Sequence, residues 1–143
     1  MRGSWWCGLV LSCMMVSASA VEEVEAEDRR AVRTEIEAQL KAFAAGDAEG
    51  AYAHASSAIR SQFKDATTFM AMVRTTYPML IRPASTGFLL PEWGAGGVIL
   101  QGVQIRDRAG HYWRALYEMQ RQSDRRWRIN GCAVVEDDDA SRT

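Results

Sequence analysis

This 143-residue chain contains two histidines and three cysteines, so it has few ready bases, thiols or soft metal ligands. His54 stands two residues past Tyr52 in "AYAHA", where a base beside a phenol can serve proton transfer. The competing reading is structural, a hydrogen-bonded histidine on an alanine-rich helix. His111 falls at a strand start beside a turn, where exposure is expected. Cys132 ends "RRWRINGC". The nearby Arg125, Arg126 and Arg128 can lower its pKa and make it a reactive thiol, whereas burial on a strand makes it inert. Tyr52, Tyr77, Trp113 and Tyr117 carry polar tips on apolar bodies. With His54 they are the candidates for lining a pocket and orienting a small apolar or anionic ligand. The alternative is that they are core.

Other chemistries lack their residues. Two distant histidines and one late cysteine give no metal-ligand spacing. "GAGG" at 94–97 lacks the lysine and helix of a phosphate loop and reads as a hairpin loop. No serine has a nucleophile-elbow context. Glu118 falls on the strand face opposite Trp113 and Tyr117, so the expected inner face holds no carboxylate base. No catalytic residue, metal or cofactor is assigned, and the balance is against an enzyme.

The elements that would position these residues follow from periodicity. Val32, Ile36, Leu40 and Phe43 make one stripe of an amphipathic helix, with Asp28 placed to cap its start and Gly46 to end it. Asp47 caps a short helix carrying Ala48, Ala51, Tyr52 and Ala55. A helical turn covers 58–63. Asp65 opens a third main helix, on which Phe69, Met70, Val73 and Tyr77 share a face, and Pro78 ends it. The period then shortens towards two, predicting strands near 86–90, 98–106, 111–122 and 127–135 with turns at 107–110 and 123–126. Trp113, Ala115, Tyr117 and Met119 should face the helices, with Arg114, Leu116, Glu118 and Gln120 outward. On the last strand, Trp127, Ile129, Gly131, Ala133 and Val135 share one parity; Arg128, Asn130, Cys132 and Val134 share the other. Helices followed by an antiparallel meander is the α+β class.

The ends read differently. Arg2, the apolar run 5–16 and Ala18-Ser19-Ala20 form a secretory signal cleaved after Ala20. Export to the periplasm or beyond is expected. The run is too short for a membrane span and continues past Cys13, which argues against a lipid anchor there. Cleavage removes Cys7 and Cys13 and leaves Cys132 without an internal disulfide partner. Residues 21–28 and 137–143 are acidic and are expected to be flexible, flanking one domain at 29–136. Between the ends, arginine outnumbers acid. A solvated surface accounts for that, and an arginine-lined site for an anion is the sharper alternative. Nothing points to nucleic acid.

The stretches "QLKAFAAGDAEGAYAHASSAIRSQF", "TFMAMVRTTYPMLIRP" and "RALYEMQRQSDRRWRINGC" resemble the domain-of-unknown-function family 4864, over about Val32 to Val135. The turn before Trp127 departs from the pattern, with Asp124-Arg125-Arg126 where the family tends to Asp-Gly. The resemblance implies an exported bacterial protein without assigned activity. It also implies a nuclear-transport-factor-two-like, or cystatin-like, cone: about three helices packed on a curved four-stranded sheet. That fold hosts isomerases, dehydratases and silent binding modules, so it transfers no function. Three readings stand: a non-catalytic ligand-binding or accessory module, an isomerase or dehydratase using His54 with Tyr52 or Tyr77, and a dimerisation or scaffold module. The last would use the open sheet face carrying Arg114, Leu116 and Arg128 to form a homodimer.

Overall fold

The computed structural model describes residues 21–142; the segment expected to be a secretory signal, with Cys7 and Cys13, lies outside the described residues. Four helices come first: α1 (Ala26–Ala44), α2 (Ala48–Ala53), α3 (Ser57–Gln62) and α4 (Ala66–Thr76). Five strands follow: β1 (Ser85–Phe88), β2 (Glu92–Trp93), β3 (Ile99–Arg106), β4 (Tyr112–Arg121) and β5 (Trp127–Glu136). The main path of the antiparallel sheet is β1-β3-β4-β5, and the two-residue β2 also pairs with β3. This is the expected α+β order, and it is compatible with the cone. The helical turn at 58–63 proves to be a helix of its own, and "GAGG" lies in the hairpin loop between β2 and β3.

The helix boundaries follow side-chain chemistry. Asp47 and Asp65 cap α2 and α4, accepting from the backbone N–H groups of Gly50 and Thr68. Gly46 ends the α1 turn at φ +68°, a conformation that glycine takes without steric cost. Asp28 does not cap α1, which begins two residues earlier with Glu25 at its N-cap position. The Asp28 carboxylate instead accepts from Arg121 Nη2 at 2.6 Å and from Trp127 Nε1 at 3.1 Å. A charged partner and an indole on the sheet outcompete the helix's own N–H groups. The folded part also extends beyond 29–136. Val24 is buried in the core, and Asp137 is buried with its N–H on Tyr112 O and its carboxylate on Arg114.

The core lies between α1, α4 and the inner sheet face. Val32, Ile36, Leu40 and Phe43 meet Ile99, Val103, Ile105, Ala115, Tyr117 and Met119. Each Val, Leu, Ile, Phe or Met among them, fully buried, contributes roughly 1.5–3 kcal/mol of transfer free energy. The β4 parity is as expected, with Ala115, Tyr117 and Met119 fully buried and Leu116 exposed.

The β5 parity is not. Met119 pairs with Ile129 but Glu118 pairs with Gly131, so Asn130 is an extra residue in a β-bulge. Trp127 and Ile129 face inward before it. After it, Cys132 stands opposite Tyr117 and Val134 opposite Ala115, while Ala133 and Val135 are exposed. The expected grouping of Gly131, Ala133 and Val135 with Trp127 and Ile129 is therefore corrected. One inserted residue exchanges the two faces of everything beyond it.

Candidate functional site

The residues singled out from the sequence do not form one site. Tyr77, Tyr117 and Cys132 help line an internal cavity between α1, α4 and the sheet, closed by Phe43, Phe69 and Ile129 among others. Its volume is about 60 Å³. Water takes about 30 Å³ per molecule and drug-sized ligands sit in roughly 300–1,000 Å³, so the cavity has room for a water or two. The Tyr77 hydroxyl donates to Cys132 O at 3.3 Å. The Tyr117 hydroxyl is fully buried and has no hydrogen-bond partner among the described residues. Burial pushes its pKa well above the usual phenol value. Burial likewise pushes the Cys132 thiol up to about 12, although the neighbouring Tyr117 side chain works the other way. The arginines of "RRWR" do not offset this, because the bulge turns Cys132 inward, away from the surface that Arg125 and Arg126 occupy. The thiol therefore stays protonated at neutral pH, which removes the basis for its reactivity.

Tyr52 is packed on Phe69, ring centroids 5.4 Å apart, and its hydroxyl donates to Arg60 O in α3. It clamps α2 to α3 and α4. Trp113 sits at the rim of an outer groove of about 480 Å³ that also includes Arg82, Asp107 and Arg108. Its indole N–H donates to Asp107 Oδ2 at 2.9 Å, and that bond, despite opposing desolvation, lowers the Asp107 pKa. The same carboxylate accepts from the N–H groups of Ala109 and His111, so Asp107 organises the β3–β4 turn.

His54 lies away from the internal cavity, on a surface groove of about 380 Å³ between α1, the end of α2 and the β4–β5 turn. Its Nδ1 is 2.7 Å from Glu35 Oε1, and Arg128 Nη1 is 3.2 Å from the same oxygen. A carboxylate accepts, so Nδ1 carries the proton and donates. Arg128 Nη1 also donates to Trp127 O at 2.9 Å. The backbone fixes the trio: Ile129 N–H donates to His54 O, and Ser56 N–H to Ile129 O, stitching the α2–α3 link to β5. Arg125 and Arg126 line the other side of the groove. Arg125 takes φ +69°, the one non-glycine among the described residues with positive φ. That conformation costs an L-residue roughly 1–2 kcal/mol.

Glu35 and Arg128 were not singled out from the sequence as a pair. Glu35 sits beside the apolar stripe of α1 and reads as a solvated flank. Its partners come from chain positions that only the closed fold brings near. Among the described residues no group of three or more His, Cys, Asp or Glu side chains could hold a metal ion. No helix there is long and apolar enough to cross a membrane.

Comparison with curated proteins and with solved structures gives no match. The sequence profile described as Domain of unknown function (DUF4864) matches residues 25–142, nearly all of the described fold. The chain therefore belongs to the domain-of-unknown-function family 4864.

Proposed function

We propose that this protein is a non-catalytic, exported accessory module that works as a homodimer through the outer face of its sheet. The carrying observation is the pattern on that face. Leu116 and Val135 are exposed, with Ala133 beside them, and Leu89 covers Gly102. Register puts Gly102, Leu116 and Ala133 in one row across β3, β4 and β5. The result is an apolar stripe crossing three strands.

Charge selects the occupant. Arg114 and Glu118 flank Leu116 on β4, two residues away on either side. A two-fold axis running across the strands at Leu116 packs two copies face to face with their β4 strands opposed. Leu116 then meets Leu116, and Arg114 of each copy meets Glu118 of the other. The same face presented in parallel would set like charges against each other. A cone filled to about 60 Å³ leaves little for the ligand-in-the-cone version, and His54 is remote from Tyr77 and Tyr117, which weighs against the isomerase version.

The test is Leu116→Asp, a change at an exposed position that leaves the core alone. Sedimentation of the variant should show single chains where the unaltered protein shows pairs. Unchanged pairing in L116D would refute this face as the contact.

A further inference from the structure

We infer that the groove between α1 and the β4–β5 turn is a binding site for a small oxyanion, held by Arg125, Arg126 and Arg128. Three guanidinium groups and the His54 ring line the groove against one carboxylate, Glu35. Glu35 Oε1 is already engaged by both His54 Nδ1 and Arg128 Nη1. Among the described residues, the Arg125 and Arg126 guanidiniums have no carboxylate partner; Asp124 accepts from the Arg126 backbone N–H instead. The groove therefore carries surplus positive charge and a set of forked donors, the arrangement that suits phosphate, sulfate or carboxylate.

Preorganisation is the second observation. Arg128 is about four-fifths buried at its side chain and is pinned by Glu35 and by Trp127 O. Its remaining N–H donors have no acceptor among the described residues. An anion arriving there meets a guanidinium whose ordering has already been accomplished in folding.

Backbone conformation is the third. The turn holds residue 125 in the left-handed region, where glycine or asparagine is comfortable. Arginine there is unfavourable for the fold and favourable for the groove. A strained residue at the edge of a concave site is where function and stability conflict. The groove, about 380 Å³, holds an oxyanion with a modest organic substituent.

Arg125→Gly separates the two effects. The full chain and this variant are titrated calorimetrically with inorganic phosphate, inorganic sulfate and succinate, each at ionic strength matched with sodium chloride. The unaltered chain should bind at least one of the three saturably, with one site. R125G should melt at the same temperature or higher, yet bind that anion about tenfold or more weakly, the loss of one charge-assisted contact. Phosphate and sulfate binding without succinate marks a tetrahedral anion; succinate alone marks a carboxylate. R126Q should weaken binding in the same way. No saturable binding of any of the three, or unaltered affinity in R125G and R126Q, overturns the inference.

Discussion

Asn130 and Glu118 are joined across β5 and β4 at the point where their register slips. The Asn130 side-chain amide donates to Glu118 Oε2 at 2.8 Å, while its carbonyl oxygen accepts from Ser56 Oγ at 2.8 Å. The extra residue of the bulge thus ties the sheet to the α2–α3 link. The expected result for Asn130→Ala is a loss of about 1–3 kcal/mol, because the buried Ser56 hydroxyl loses its acceptor. Urea denaturation measures it. A change below a few tenths of a kcal/mol would mean that the bulge stands without these bonds.

Cys132 should be slow to react. With its pKa raised to about 12, the native thiol gives almost no thiolate at pH 8. Labelling with a chromogenic disulfide should be complete in denaturant and take hours in native buffer. Labelling within seconds in native buffer would contradict the half-buried, inward-facing placement.

The same two groups set an alkaline limit. Cys132 and Tyr117 both have raised folded-state pKa values, so the unfolded chain releases their protons first. Their contribution is intact below the unfolded values, 9.0 for the thiol and 10.0 for the phenol, and is lost as pH rises from there. Melting temperature should therefore fall steadily above about pH 9. Cys132→Ser and Tyr117→Phe should each flatten that fall. A flat profile from pH 8 to 11 in the unaltered protein would contradict the assignment.

Tyr117→Phe also tests the orphan hydroxyl at neutral pH. A buried hydroxyl without a partner is a cost that phenylalanine removes at nearly equal volume. The expected change is neutral to about 1 kcal/mol of stabilisation. A loss of more than 1 kcal/mol at pH 7 would show that the hydroxyl is hydrogen-bonded, to the Cys132 thiol or to a water in the 60 Å³ cavity.

Much of the fold was legible in local pattern. The stripe Val32, Ile36, Leu40, Phe43 and the caps Asp47 and Asp65 read directly, because 3.6-residue periodicity and N-cap chemistry are local. The β4 faces read from strict alternation. Asn130 broke the same reasoning on β5, since a bulge is specified by Ser56 and Glu118 and not by its own neighbours. The apolar Cys132 and Val134 were the one trace of it. Asp28 looked like a cap because nothing nearby reveals Arg121 and Trp127. The Glu35–His54–Arg128 cluster is more remote still, assembled from three elements: the sequence points to His54 and Arg128 for separate roles and to Glu35 not at all.

Light scattering coupled to size exclusion tests pairing through the outer sheet face most directly. The account predicts a mass twice that of the single chain at tens of micromolar, and the single-chain mass for Leu116→Asp at the same concentration. A single-chain mass for the unaltered protein throughout that range would contradict it.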